Sequence, residues 1–261
     1  MTSPNRLDRR SYLRVTSAAG IALTAGCASL DPRDQRPDGV VLDRPEWYDE
    51  IDGYEDADLS YPTYGDELPE ATAPDPLRER DVTTTEFVGE RHSLFTFVFT
   101  RCHGACPALM ASLRQVQADA IDEGYEDEIA LATVTFDPEY DTPEVLEEYG
   151  EDMGVNFAVG NWYFLRPETP EAAHEVVEEG FGCFFEENED YDGHGGHDDH
   201  DHDDHHDDHD EDHDHSEMAF QHLSLIVLAN ADGYVERAYT DHTLPSPNEL
   251  VDDVRELRER W

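Results

Sequence analysis

The sequence predicts an α/β domain of thioredoxin-like type: a central mixed sheet flanked by helices, interrupted by a disordered insertion rich in acid and His. Three observations predict it. Two buried β-type runs, 93–100 (SLFTFVFT) and 129–136 (IALATVTF), are each followed by a helix-start signal. The apolar run 221–229 (QHLSLIVLA) leads through Asp232-Gly233 into another β-type run, the pattern of a hairpin. A capped helix closes the chain. Parallel βα units, then an antiparallel hairpin and a terminal helix, describe the thioredoxin-like arrangement.

Taken in order, the run 93–100 is aromatic and poor in polar residues, as expected of a central strand covered on both faces. It ends at Arg101-Cys102-His103-Gly104-Ala105-Cys106-Pro107. A helix follows, because Leu109, Leu113, Val116 and Ala120 recur along one face. Pro107 suits its first turn, where a missing N–H costs nothing. The run 129–136 is the next buried strand, and Thr142-Pro143 caps and opens a second helix. A short strand is expected at 161–165, and Thr169-Pro170 starts a third helix running through Phe181. The insertion 188–217 comes next, before the hairpin; it offers nothing to bury and is expected to be disordered without metal. One strand over 221–229, a turn at Ala231-Asp232-Gly233 and a partner strand over 234–239 form the hairpin. Ser246-Pro247-Asn248-Glu249 opens the last helix with a capping box. No internal repeat is present.

Length and charge bound the function. The chain has 261 residues, with 64 Asp and Glu against 17 basic residues, all Arg, for a net charge of −47. Segment 190–217 holds 14 of the acids, which leaves −33 on the remainder. Such a chain repels phosphate and has no basic patch to release counterions, so nucleic-acid binding is excluded. The same charge argues against docking on an anionic lipid surface. A folded surface this acidic repels itself in dilute buffer and is relieved by salt, which reads as a halophilic source.

Residues 1–27 read as an address. Arg9-Arg10 precedes a weakly apolar run too short to span a bilayer and resembles a Tat export signal. Thr24-Ala25-Gly26-Cys27 resembles a lipobox in which Cys27 is lipidated. The expectation is an exported lipoprotein of haloarchaeal type, held by its Cys27 lipid on the outer face of the cell membrane. Residues 28–60, rich in Asp, Pro, Arg and Gly, read as a flexible acidic linker, and 61–261 as the folded domain.

Cys102 and Cys106 are the informative cysteines. They lie between a buried strand and a helix start, where backbone N–H groups stabilise a thiolate, so at least one thiol is expected to have a lowered pKa. Sulfurs at this spacing can converge on one ion or close a disulfide. Redox motors of the thioredoxin type use a CxxC spacing; the extra residue loosens the loop and suits a metal. Two thiolates plus one imidazole form a soft three-donor set suited to Cu(I), whereas zinc prefers four donors. His222 is the best candidate for the third donor, since in thioredoxin-like folds the loop before its strand lies beside the cysteine loop. Cys183, alone between Gly182 and Phe184, reads as a small buried hydrophobe. His103 reads as a solvent-facing loop residue.

Three blocks carry a family resemblance. FTFVFTRCHGACPALM resembles the CxxxCP loop of the Sco/SenC family, TVTFDPEYDTPEVLEEYGEDMG its second block, and FQHLSLIVLANADGYVERAY its third, with a His ahead of a strand and an Asp-Gly turn. With the lead-in from residue 59, the likeness covers 59–261 apart from the insertion. Gln221 and Leu223 flank His222 where the family often has Asp and Ser or Thr, and the loop centre is His-Gly-Ala in place of Pro-Asp-Val. The resemblance implies a copper-binding thioredoxin-like domain with Cys102, Cys106 and His222 as ligands. It also implies a role in assembling the binuclear copper centre of cytochrome c oxidase subunit II. Asp137 and Asp141 end a strand near the site. Asp141 reads as a turn or cap residue; Asp137 reads equally as that or as an acid supporting the site.

His194, His197, His200, His202, His205, His206, His209, His213 and His215 lie among Asp repeats. Their spacing predicts secondary, weak binding of divalent ions, with Cu(II) favoured over Zn(II) and Ni(II). Three functions compete at this point. One is a copper metallochaperone delivering to subunit II, and the second is an extracytoplasmic thiol–disulfide reductase acting on the oxidase's copper-site cysteines. The third is a peroxidase of the same fold, disfavoured because Phe99-Thr100-Arg101-Cys102 lacks the Pro its loop requires.

Overall fold

The central strand is β3, His92–Val98, in which all seven residues are buried. It pairs in parallel with β4 (Ile129–Thr135) and antiparallel with β8 (Leu225–Ala229). β5 (Trp162–Leu165) and β9 (Val235–Thr240) complete a five-stranded mixed sheet of order β5-β4-β3-β8-β9. The computed structural model describes residues 36–45, 48, 59–188 and 219–261. The expected export signal, most of the expected linker and the histidine tract lie outside those residues.

The helices start where the sequence signals place them. α1, Cys106–Glu123, opens at the second cysteine with Pro107 in its first turn and buries Leu109, Leu113, Val116 and Ala120. α2, Pro143–Asp152, is capped by the Thr142 side chain. α4, Pro247–Arg260, opens with the Ser246/Glu249 capping box. Arg255 of α4 pairs with Asp119 of α1, which also accepts from Tyr125 Oη at 2.5 Å and locks the two helices together. This is the predicted thioredoxin-like architecture.

Four local features depart from the sequence reading. A hairpin of β1 (Thr72–Asp75) and β2 (Arg80–Thr83) precedes the sheet and carried no strong apolar signal. The third helix is α only over Pro170–Ala173 (α3) and then widens to a π-helix over His174–Gly180. The strand expected over 221–229 is two strands. β7 (Phe220–His222) leaves the main sheet and pairs with β6 (Phe185–Glu187), with Phe185 opposite His222. The break lies at Leu223-Ser224, where Leu223 N–H donates to Phe184 O and Ser224 N–H to Asp241. The insertion therefore joins the two strands of its own hairpin, whose neck is closed by Asn188 N–H on Ala219 O at 2.8 Å. Finally, residues 36–45, inside the expected linker, pack on the domain. Leu42 is fully buried, and the N–H groups of Val41 and Leu42 donate to the buried carboxylate of Glu236 at 2.8 and 2.9 Å. The compact unit thus begins at Arg36, ahead of the expected boundary at residue 61.

The chain reaches β6 through a tight approach. Gly182 adopts φ +60°, and a Cβ there would stand 1.8 Å from the Ser60 carbonyl oxygen. Ser60 Oγ in turn donates to Gly182 O at 2.9 Å. Only glycine satisfies both the left-handed conformation and the space. Gly182→Ala is expected to lower stability by at least about 2 kcal/mol, by strain plus overpacking. Urea denaturation of the reduced protein measures it.

Candidate metal centre

The cysteine loop hangs between the end of β3 and the start of α1. Phe99 O accepts from Cys102 N–H at 3.1 Å, turning the chain out of the strand two residues earlier than the run 93–100 implies. Cys102 is 5 % exposed and Cys106 is fully buried. His222, at the end of β7, brings Nε2 to 3.5 Å from Cys106 Sγ and 3.9 Å from Cys102 Sγ. One donor atom from each of the three residues lies within 4.8 Å of the others, the one such His/Cys/acid group among the described residues.

The imidazole is aimed from behind. Nδ1 lies 3.1 Å from Leu223 O, so a proton on Nδ1 is held by that carbonyl and Nε2 is aimed at the sulfurs, where its own proton donates to the Cys102 thiolate while no ion is held. The rings of Phe99 and Phe136 pack on the imidazole at centroid distances of 5.8 and 5.2 Å and fix its plane. Cys183 is buried and donates its S–H to the same Leu223 oxygen at 3.2 Å; burial pushes its thiol up, so it remains a neutral packing residue.

The two ligand cysteines differ electrostatically. The S–H of Cys106 donates to Cys102 and, with His222 and the N–H groups of Cys106 and Gly104, holds the Cys102 thiol at about 4 against burial. Cys106 is pushed up by that same interaction and by burial. Burial alone would depress His222, but the hydrogen bonds with Cys102 and Leu223 raise it. The metal-free reduced site is thus a Cys102 thiolate beside a neutral Cys106 thiol. A cation held here would take the place of both the Cys106 proton and the Nε2 proton, leaving two thiolates and one neutral imidazole, a donor set that fits a soft monovalent ion.

Two carboxylates support the loop. Asp141 is buried and accepts from Thr100 N–H, from Thr100 Oγ1 and from Thr135 Oγ1, buckling the ends of β3 and β4 to the approach of α2. Burial raises its carboxyl to about 6 despite these donors. It is more than a turn residue, because it joins three elements. Asp137 accepts from Arg101 Nη2 at 2.6 Å, and the guanidinium stacks on Tyr140 with its carbon 4.2 Å from the ring centroid. Asp137 therefore acts on the site through the residue preceding Cys102. His103 is exposed and lies outside the three-donor group. Arg101, Thr100, Thr135 and the Leu223 carbonyl were not singled out from the sequence. A backbone oxygen carries no sequence signal, and the hydroxyls become informative only once β3 and β4 are known to end side by side.

A thioredoxin-like domain with two cysteines and a histidine converging at the sheet's end defines a soft-metal or thiol-redox protein. The SCO1/SenC family profile matches residues 77–259, and the chain belongs to that family. Solved structures share the fold at low identity. A SCO1/SenC family lipoprotein from Bacillus anthracis is 16 % identical, with a TM-score of 0.54 covering 77 % of this chain and 96 % of that one. BsSco, a member of the Sco family of cytochrome c oxidase assembly proteins with an identified disulfide switch, is 20 % identical, with a TM-score of 0.52 and coverage of 77 % and 95 %. Yeast Sco1 with copper bound is 17 % identical, with a TM-score of 0.52 and coverage of 75 % and 91 %. Comparison with curated proteins returned no match.

The depressed Cys102 pKa has a sign that can be checked. The unfolded thiol titrates near about 8.5. Its ionisation therefore stabilises the fold fully above that pH, and the contribution is lost as pH falls toward about 4. In the reduced, metal-free protein, Cys102 is expected to react with iodoacetamide far faster than Cys106 or Cys183, with a pH midpoint near 4. His222→Ala is expected to move that midpoint upward by removing a hydrogen bond to the thiolate. Site-resolved mass spectrometry of the alkylated chain reads both.

Proposed function

We propose that this chain is a copper metallochaperone, holding copper through Cys102, Cys106 and His222 and delivering it to the binuclear copper site of cytochrome c oxidase subunit II. The observation that carries this reading is the convergence of two sulfurs and an imidazole nitrogen within 4.8 Å, with one sulfur already ionised. Membership of the SCO1/SenC family and the copper-bound yeast relative support copper as the cargo. BsSco's place among oxidase assembly proteins supports the acceptor. Three donors leave the ion open to an incoming thiolate, which favours ligand exchange over permanent storage.

The expected setting is the outer face of the cell membrane, with the chain exported and anchored by a lipid on Cys27. The histidine tract from His194 to His215 is assigned weaker, secondary binding of divalent ions, with Cu(II) favoured. The described residues on either side of the insertion, Asn188 and Ala219, close the neck of the β6–β7 hairpin that carries His222, which supports a reserve for the copper site.

The second reading is a thiol–disulfide reductase, favoured by the unequal pKa values of the cysteines. The Cys102 thiolate would attack a disulfide of the partner, forming a mixed disulfide and releasing one partner thiolate. Cys106, losing its proton, would then attack Cys102. The partner leaves as a dithiol and Cys102–Cys106 as a disulfide. His222 separates the readings, since disulfide exchange does not require it.

The reduced chain is expected to bind one tight equivalent of Cu(I) against a competing chelator. Cys102→Ala, Cys106→Ala or His222→Ala is expected to weaken that equivalent at least tenfold, while His222→Ala retains disulfide exchange. Deleting 190–217 is expected to remove weaker divalent sites and leave the tight one. Tight binding indifferent to His222 would favour the reductase, and unchanged total stoichiometry after the deletion would remove the reserve.

A further inference from the structure

The His222 ring needs more than its plane to be fixed. Phe99 and Phe136 pack on it and set that plane. They do not decide which way round the ring lies within it. A half-turn about Cβ–Cγ leaves the plane unchanged but puts Cε1 where Nε2 stood, and only the nitrogen is a ligand. On the side away from the sulfurs, the bond from Nδ1 to Leu223 O at 3.1 Å is what tells the two orientations apart.

That carbonyl has little of its own to hold it. It lies in the break between β7 and β8, and no main-chain N–H among the described residues donates to it. The other end of the same peptide group, Ser224 N–H, rests on the exposed side chain of Asp241. The oxygen has two donors, His222 Nδ1 and the Cys183 thiol, the latter at 3.2 Å. Together they fill both lone pairs of a carbonyl oxygen. Without Cys183, the oxygen would be held only by the group it has to position. Cys183 itself is placed from elsewhere. It is fully buried, its N–H donates to Val177 O at 3.0 Å, and it follows Gly182, whose left-handed turn packs against Ser60. Burial pushes its thiol up, so the proton stays on sulfur. Ala or Val would occupy this space without offering a donor.

We infer that Cys183 is a positioning residue for the metal centre, in addition to filling space. Its S–H fixes the Leu223 carbonyl, the carbonyl holds Nδ1 of His222, and Nε2 is thereby the atom kept facing Cys102 and Cys106. The apparent affinity for an ion scales with the fraction of rings lying the right way round, so a looser carbonyl weakens binding without touching a ligand. That the ion is copper rests on the copper-carrier reading. The effect on the ring does not, and the two are measured apart.

The test compares the reduced full chain, labelled with heavy nitrogen at histidine, with Cys183→Ala and Cys183→Ser. Both variants lose the sulfur's volume, and only Ser keeps a donor. Long-range proton–nitrogen NMR of the metal-free chain reads the His222 ring, its signals assigned by their loss in His222→Ala. The unaltered chain and Cys183→Ser are expected to show a single state with Nδ1–H hydrogen-bonded, and Cys183→Ala a second ring state beside it. Chelator competition then reads Cu(I). Cys183→Ala is expected to weaken it about threefold, less than the roughly tenfold or more typical when a ligand's direct partner is lost, and Cys183→Ser to leave it near the unaltered value. Thermal stability is expected to fall alike in both. Cys183→Val and Cys183→Thr, matched in shape and differing in the same hydroxyl, repeat the comparison without the lost volume. An unchanged His222 ring in Cys183→Ala and Cys183→Val, or equal copper losses with and without the donor, would reduce Cys183 to packing and overturn the inference. Donor-dependent order of the ring in a chain that fails to hold Cu(I) would keep the inference and overturn the carrier reading instead.

Discussion

The contact between His222 and the two sulfurs is the constraint on which the site depends. It joins residues more than a hundred positions apart, at 3.5 and 3.9 Å. Bringing such distant groups together is costly in chain entropy, and the domain meets that cost on folding, before any ion arrives. The device that achieves it is the departure of β7 from the main sheet. Had 221–229 continued as one strand beside β3, His222 would have followed the sheet. The break at Leu223-Ser224 gives β7 its own partner, β6, and leaves Leu223 O free to hold both His222 and Cys183. A metal entering this arrangement meets donors that need little further ordering.

The same logic governs the buried charges. A carboxylate as deep as Asp141 is unfavourable unless its lone pairs are filled, and here Thr100 and Thr135 fill them. Thr135 ends β4 and Thr100 lies two residues past the end of its parallel neighbour β3, so the carboxylate ties the cysteine loop to the sheet as the chain leaves it. Arg101 and Asp137 do the equivalent for the loop above, with Tyr140 covering the guanidinium. The cysteine loop is consequently clamped from below by Asp141 and from the side by Asp137. Polar groups, which contribute little net stability when paired, here set geometry.

Much of this was legible in the sequence, for identifiable reasons. The runs 93–100 and 129–136 announced buried parallel strands because both faces are covered and no alternation interrupts them. Pro107, Pro143, Pro170 and the Ser246/Glu249 box marked helix starts within a residue, since capping chemistry is local. Cys102 and Cys106 stood out by position and spacing. The legible part ended where structure is decided by distant contacts. The two strands of 220–229 read as one because the break is made by partners at Phe184 and Asp241. β6 was hidden because Phe185–Glu187 runs into the acidic insertion. Residues 36–45 read as linker because three buried residues, Val40, Leu42 and Pro45, among polar ones are too few to set a pattern, and Val41 and Leu42 are held by a distant carboxylate, Glu236.

The account turns on whether copper takes both sulfurs and the imidazole together. X-ray absorption at the copper edge of the reduced chain, loaded with one equivalent of Cu(I), tests this most directly. The account predicts a three-coordinate ion with two sulfur scatterers and one imidazole nitrogen, and loss of the imidazole signature in His222→Ala. A spectrum dominated by several nitrogen scatterers, or one with two sulfurs that is unchanged by His222→Ala, would contradict it.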